Sequence, residues 1–167
     1  DGTLTQRKMP LLVRGINNII NVRAGYNHSM AIKDDGTLWS WGQNNSGQLG
    51  NGTTFSTNAA RQLPGLTGII DAAGGEAHSV ALKNDGSVWT WGQNSEGQLG
   101  DGTGIQQNSP VRIYGINAVA IAAGRSHTLA LSADGIVWAW GYNNYGQVGN
   151  GNTMIQLPPV SGINRGN

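Results

Sequence analysis

The chain has 167 residues, a formal net charge of +1 and only 11% charged residues. Such a balance excludes the basic stripe or patch with which nucleic-acid-binding domains neutralise phosphates. The absence of cysteine excludes disulfide and thiolate chemistry. No run of about eighteen apolar residues, the length of a membrane span, occurs in the sequence.

One segment of the chain, residues 39–53, recurs at residues 89–103 and again at residues 138–153. A spacing of about fifty residues is typical of a repeat architecture. The units are approximately 1–50, 51–100 and 101–149, followed by a partial closing segment 150–167, and together they predict a single repeat domain over residues 1–167. All six tryptophans of the chain lie in the three copies: Trp39, Trp41, Trp89, Trp91, Trp138 and Trp140.

Each unit begins with two predicted strands. The first lies near Pro10, which corresponds to Ala60 and Pro110 and fits an edge strand or a strand start because proline has no N–H to donate. The second covers residues 19–25, with copies at 69–75 and 119–124. These short apolar runs are rich in β-branched residues and end in glycine, so we predict innermost, well-buried strands.

The second half of each unit predicts a hairpin. A strand with a large apolar side chain at every second residue begins at His28, His78 and His127. An Asp-Gly pair follows at residues 35–36, 85–86 and 134–135, which is a strong signal for a tight turn. The returning strand contains the two tryptophans, which share a face because they are two residues apart. We therefore predict an all-β fold with four strands per unit and almost no helix.

Four-stranded sheets repeated around an axis form a β-propeller. The unit resembles the regulator of chromosome condensation repeat, a propeller family with the pattern Ala-Gly-x-x-His-x-x-Ala-Leu, then Asp-Gly-x-Val-Trp-x-Trp-Gly-x-Asn-x-x-Gly-Gln-Leu-Gly-x-Gly. Residues 74–82 and 85–102 carry both parts. The resemblance covers the whole chain and implies blades of four antiparallel strands, in rings that commonly contain seven.

Three blades form only a partial propeller and leave two open flanks, and large exposed apolar patches mark association sites. We therefore expect a homodimer that completes a six-bladed ring about a two-fold axis. The strand that occurs near Pro10 and again near Val160 could close each seam, with one copy displaced. The alternative is a fragment of a longer propeller, since the chain begins in mid-repeat at Asp1.

The repeated polar residues predict structure rather than chemistry. His28, His78 and His127 occupy the same position in different blades, so they lie too far apart to share a metal at bond lengths of about 2 Å. We expect each imidazole to bond the backbone of a neighbouring turn. The tryptophans fit blade core and blade–blade packing better than a ligand platform. We predict no catalytic residue, metal or cofactor. Turn geometry explains the repeated aspartates Asp35, Asp85 and Asp134.

Divergent loop positions are free to carry recognition. Tyrosine and arginine dominate interface energetics, and they occur where the copies differ. We therefore predict contact with a partner protein, although neutral drift on solvated turns explains the same divergence. The candidate partner-binding residues are Tyr26, Arg125, Tyr142 and Tyr145, with Glu76 as a charge of opposite sign.

The resemblance implies a non-catalytic scaffold, because relatives act as exchange factors for small GTPases, as a secreted β-lactamase inhibitor and as adaptor modules. A module whose only property is ring closure and an enzyme with an axial pocket are the alternatives. The low charge and the many Asn-Gly turns favour a bacterial source and an exported parent. We expect no nucleic-acid or membrane partner.

Overall fold

The structure is a computed structural model that describes residues 2–161. Twelve strands form three antiparallel sheets of four strands, and no helix occurs among these residues, so the predicted all-β fold is confirmed. Accordingly, the described part of the chain has no helix that could cross a membrane. Blade 1 contains β1 (Ile19–Ala24), β2 (His28–Lys33), β3 (Leu38–Gly42) and β4 (Thr57–Gln62). Blade 2 contains β5 (Ile69–Gly74), β6 (His78–Lys83), β7 (Val88–Gly92) and β8 (Gln107–Ile113). Blade 3 contains β9 (Ala118–Ala123), β10 (His127–Ser132), β11 (Val137–Gly141) and β12 (Gln156–Ser161).

The predicted Asp-Gly hairpins join the second and third strands of each blade. In blade 1, Gly36 has a φ of +75° and its amide donates to the Lys33 carbonyl at 3.0 Å. The Asp35 carboxylate accepts a hydrogen bond from the Thr37 amide at 2.9 Å. The turn thus uses the conformational freedom of glycine and the short carboxylate of aspartate, which is why this dipeptide recurs.

The outer strand of each blade comes from the following repeat. Strands β4, β8 and β12 pair with the tryptophan strands β3, β7 and β11. The predicted strand near Val160 is therefore present as β12, but the one predicted near Pro10 is wrong, since residues 2–18 form no strand. The physical reason is pairing: every described tryptophan strand already has an outer partner, so no edge remains for the first segment.

The innermost position of β1, β5 and β9 is confirmed, because β1 contacts β5 and β5 contacts β9. Their predicted deep burial is confirmed for Ile69 and Ala72, which are 2% and 1% exposed, but it is wrong at other positions. Ile20 and Val22 are each 65% exposed, and Val119 is 56% exposed. Ile20 and Val119 share their position with Ile70, which is 51% exposed although blade 2 has a neighbour on each side, so this position faces away from the adjacent blades. Val22 instead lies on the side of blade 1 that no blade covers, since its equivalent Ala72 in blade 2 is buried.

The hydrophobic core lies between the blades. One cluster joins blades 1 and 2 and includes Met30, Leu63 and Trp91. A second joins blades 2 and 3 around Trp140. Trp91 and Trp140 are fully buried, whereas Trp41 at the equivalent position of blade 1 is only partly buried. Burial of this indole therefore depends on the presence of a preceding blade.

Candidate functional site: blade joints, open flanks and an interaction face

The joint between blades 1 and 2 contains a chain of hydrogen bonds. The Trp91 indole N–H and the Ser79 hydroxyl both donate to the Gln48 backbone carbonyl, each at 2.8 Å. The His28 Nε2 atom lies 2.8 Å from the Ser79 oxygen. Because the Ser79 hydrogen points to the carbonyl, its oxygen accepts from His28, and this identifies the protonated ring nitrogen as Nε2.

The joint between blades 2 and 3 repeats the same chain. Trp140 and Thr128 donate to the Gln98 carbonyl at 2.9 and 2.8 Å. His78 Nε2 lies 3.0 Å from the Thr128 hydroxyl oxygen. Two joints with the same bonds show that blade docking is a specific polar contact inside an apolar interface, and such buried bonds fix one arrangement of the blades.

A glycine in the preceding blade makes room for each buried indole. A Cβ atom on Gly50 would lie 2.7 Å from the Trp91 Nε1 atom, and one on Gly100 would lie 2.6 Å from the Trp140 Nε1 atom. Real Cβ atoms do not approach other heavy atoms this closely, so any side chain at these positions would displace the indole. We call these two positions the glycine cradles.

The histidines hold the joints as neutral groups. Burial lowers the pKa of His28 to about 4. Burial is the largest cause that lowers the pKa of His78 to about 3, and repulsion from His28 and His127, once these are protonated, adds to it. The expectation that the rings bond turn backbone is wrong: they bond a hydroxyl in the next blade. In this arrangement the hydroxyl is buried and its hydrogen is committed to a carbonyl, which makes it a structural bridge rather than an activated nucleophile.

The described residues also contain no group of three or more His, Asp or Glu side chains placed to hold a metal ion. The three histidines belong to three different blades, and two of them are fixed in separate joints. The repeat itself keeps them apart.

The entry flank is the surface of blade 1 that faces away from blade 2. Ser29 and Trp41 occupy the positions that Ser79 and Trp91 hold in blade 2, and both are half-buried. Within residues 2–161, no atom accepts a hydrogen bond from the Ser29 hydroxyl or the Trp41 indole. The donors of a joint are thus present on this flank without their acceptor.

The exit flank is the surface of blade 3 that faces away from blade 2. His127 and Gln147 are half-buried here, although the equivalent residues of blades 1 and 2 are buried. A Cβ atom on Gly149, the equivalent of the glycine cradles, would meet nothing within 4 Å. The exit flank therefore carries an acceptor, an imidazole and an empty cradle.

The predicted partner-binding residues meet on one face. Glu76, Arg125, Tyr142 and Tyr145 line a pocket of about 510 Å³, and Tyr26 lines a neighbouring pocket of about 490 Å³ with Glu76 and Arg125. All five belong to turns after the first or third strand of a blade, which lie on the same side of an antiparallel sheet. We call these five residues the interaction face.

Two contacts organise the interaction face. Arg125 Nε lies 2.6 Å from Glu76 Oε2, and this bond lowers the pKa of the Glu76 carboxyl. The rings of Tyr142 and Tyr145 pack edge to face with centroids 6.2 Å apart. Glu76 and Arg125 are thus paired with each other across two blades, which sequence comparison of single units could not reveal.

Sequence reasoning overlooked a buried asparagine in each blade. The Asn44 amide nitrogen donates to the carbonyls of Thr53 and Phe55 at 2.9 and 3.1 Å, and its Oδ1 accepts from the Leu49 amide at 2.8 Å. Asn94 and Asn143 make the same set of bonds. Their identity in all copies was the available signal, because a loop residue that never varies holds the loop together.

Three four-stranded sheets, joined side by side through repeated polar contacts, define a propeller-type repeat protein. The family model for the regulator of chromosome condensation (RCC1) repeat matches residues 35–82, 85–131 and 134–163. A second model of this repeat matches residues 19–48, 69–98 and 118–147. The chain belongs to the RCC1 repeat family.

Known proteins share the repeat and the fold. Human HERC2, an E3 ubiquitin-protein ligase, is 41% identical over 49 residues, which are 28% of this chain and 1% of HERC2. Prp20p from Saccharomyces cerevisiae is 25% identical with a TM-score of 0.79, over 88% of this chain and 39% of Prp20p. Human WBSCR16 is 27% identical with a TM-score of 0.77, over 86% of this chain and 37% of its own. This chain therefore spans well under half of either structure.

Proposed function

We propose that this chain is a non-catalytic propeller scaffold for protein–protein interaction, which assembles with a second copy to complete a six-bladed ring. The observation that carries the proposal is the pair of open flanks. Each flank presents joint residues whose equivalents are buried and bonded inside the molecule. β-Propellers close with four to eight blades. The three blades of one chain are fewer than that range, whereas the six blades of two chains lie within it.

The entry flank also exposes apolar surface that supports assembly. Trp41 borders a cavity of about 770 Å³ and a second of about 620 Å³. The second cavity is lined by Leu11, Leu12 and Ile16 together with Met30. Covering this surface with another blade would remove apolar area from water at roughly 25 cal/mol per Å². The solution mass tests the assembly.

Light scattering at tens of micromolar should give twice the chain mass of 17.5 kDa. A mass of 17.5 kDa across that range would contradict self-assembly and favour the second candidate, a segment of a longer propeller. The coverage of only 39% of Prp20p supports that candidate. In that case the flanks would contact further blades of the same parent chain, and a longer chain would be a monomer with both flanks covered.

The interaction face is the proposed site for a partner protein. The crystal structure of Prp20p was described together with its binding properties to Gsp1p and histones. Purified Gsp1p and purified histones are therefore suitable probes for this chain. Tyr145 is 87% exposed and available for contact. Tyr145→Ala should weaken binding of a probe by about tenfold, as expected for loss of an aromatic anchor.

Tyr114→Ala is the matched control. Tyr114 is 78% exposed, but it follows the fourth strand of blade 2 and so lies on the opposite side of the sheets. Equal loss of binding in both variants, or no binding of either probe to the unmodified chain, would contradict the assignment of this face to such a partner.

A further inference from the structure

The two open flanks carry the two halves of one joint. The entry flank supplies a hydroxyl and an indole, from Ser29 and Trp41. The exit flank supplies an imidazole from His127, a backbone carbonyl from Gln147 and an open glycine at Gly149. These are the same five elements that form both internal joints, and within residues 2–161 neither half has its complement.

The open space at Gly149 is the most specific of these observations. Gly149 has a φ of +74°, against +72° for Gly50 and +75° for Gly100, so the backbone already has the conformation used at the internal joints. Added Cβ atoms at Gly50 and Gly100 would collide with an indole, whereas one at Gly149 would meet nothing within 4 Å. The space that an indole fills in both internal joints is preformed and vacant here.

We propose that the exit flank of one copy binds the entry flank of a second copy and reproduces the internal joint. The Trp41 indole and the Ser29 hydroxyl then donate to the Gln147 carbonyl of the other copy. The His127 Nε2–H donates to the Ser29 oxygen, and Trp41 packs over Gly149. This inference rests on the proposed self-assembly and specifies its bonds. Two such contacts, related by a two-fold axis, close the ring.

The entry and exit flanks carry different groups, and this excludes contacts between two entry flanks or between two exit flanks. Entry against entry would bring two indole donors together without the backbone carbonyl that accepts them in both internal joints. Exit against exit would leave two carbonyls and two empty cradles facing each other. Unpaired polar groups in a buried interface cost free energy, so only the unlike flanks satisfy each other.

Gly149→Ala tests the exit flank, with Gly115→Ala as its control. The two glycines have φ values of +74° and +83°, and an added Cβ meets nothing within 4 Å at either. Both variants therefore carry the same kind of backbone strain, but only the methyl at residue 149 would occupy the indole position. By sedimentation velocity, Gly149→Ala should raise the dimer dissociation constant at least about tenfold relative to Gly115→Ala, as overpacking predicts.

The double variant Ser29→Ala, Trp41→Phe tests the entry flank. It removes both donors and keeps an aromatic ring, and it should weaken dimerisation to a similar degree of about tenfold or more. Mixing it with Gly149→Ala provides the decisive arm. The mixed dimer has one unmodified joint, between the exit flank of the first variant and the entry flank of the second, and both changes fall in its other joint. It should therefore be at least as tight as either variant's own dimer, in which each of the two joints carries a change.

The possible results separate the two proposals. A monomeric unmodified chain overturns both the self-assembly and this joint. A dimer that tolerates all these changes, or a mixed dimer that is weaker than both variant dimers, leaves the scaffold in place and overturns the joint described here.

Discussion

At the internal joints the indoles of Trp91 and Trp140 are fully buried, while the equivalent Trp41 on the entry flank remains partly exposed. The same contrast separates Gln98, 1% exposed, from the half-buried Gln147 on the exit flank. The residues are equivalent and their strands are paired in the same register, so the difference arises from the neighbour. A blade of this chain forms one sheet but acquires its core at the contact with the adjacent blade, as in other repeat proteins.

The largest expected effect on the free energy of unfolding comes from a substitution that breaks an internal joint. Trp91→Ala should lower the free energy of unfolding by about 3–5 kcal/mol, because it removes a fully buried indole and leaves a cavity. Trp41→Ala should cost clearly less at submicromolar concentration, where copies are apart. Urea denaturation followed by circular dichroism measures both. Equal losses at that dilution would mean that burial at this position does not depend on the neighbouring blade.

The next largest effect is expected at the buried loop asparagine, which occurs in all three blades. Asn44→Ala should lower the free energy of unfolding by about 3 kcal/mol, because it leaves several buried backbone groups without partners. Asn45→Ala is the adjacent control, since Asn45 is exposed, and it should leave the urea midpoint unchanged. If the two variants behave alike, the buried amide does not organise the loop.

Acid should weaken the internal joints more than the rest of the molecule. His28 and His78 have pKa values near 4 and 3 in the folded protein, against 6.5 for an unperturbed histidine. Between these values the unfolded chain binds protons that the folded chain excludes. Stability should therefore be constant above pH 6.5 and fall as the pH drops from 6.5 toward 4, by roughly 1.4 kcal/mol per pH unit for each histidine.

His78→Gln sharpens this prediction. The glutamine amide keeps a donor for the Thr128 hydroxyl but cannot titrate in this range. Urea midpoints measured from pH 7 to pH 4 should show a smaller slope in the variant, because only His28 and His127 then keep a lowered pKa. An unchanged slope would assign the acid sensitivity to other groups.

The smallest expected effect lies on the interaction face. Arg125 is exposed, and its ion pair with Glu76 lies at the surface, where such pairs contribute little to stability. Arg125→Ala should leave the urea midpoint within error of the unmodified chain and should raise the pKa of Glu76 toward its ordinary value. A nuclear magnetic resonance titration of the Glu76 carboxyl checks this, and an unmoved pKa would show that the pair does not persist in solution.

Repetition is what made the fold predictable. The Asp35-Gly36 turn, the alternation after His28 and the tryptophan pairs each appear three times, so local signals that would be ambiguous once became consistent. The same comparison directed attention to the loops where the copies differ, and the five residues found there lie on one face. Periodicity thus gave the sheets and their order without any information on contacts between blades.

Contacts between blades were beyond the reach of sequence patterns. The strand expected near Pro10 is missing because pairing is decided by which tryptophan strand is available, and that is a property of the whole chain. The partner of His28 is a hydroxyl 51 residues away, and no periodicity specifies it. The exposure of Val22 follows from the uncovered entry flank, since the equivalent Ala72 in blade 2 is 1% exposed.

We expect that Trp41 lacks only a neighbouring blade to become as buried as Trp91 and Trp140. Hydrogen exchange of the indole N–H groups, followed by nuclear magnetic resonance over a concentration series, tests it most directly. Trp91 and Trp140 should be protected at every concentration, and protection of Trp41 should rise in step with the fraction of dimer. An indole of Trp41 that exchanges freely while the solution mass has doubled would contradict the claim.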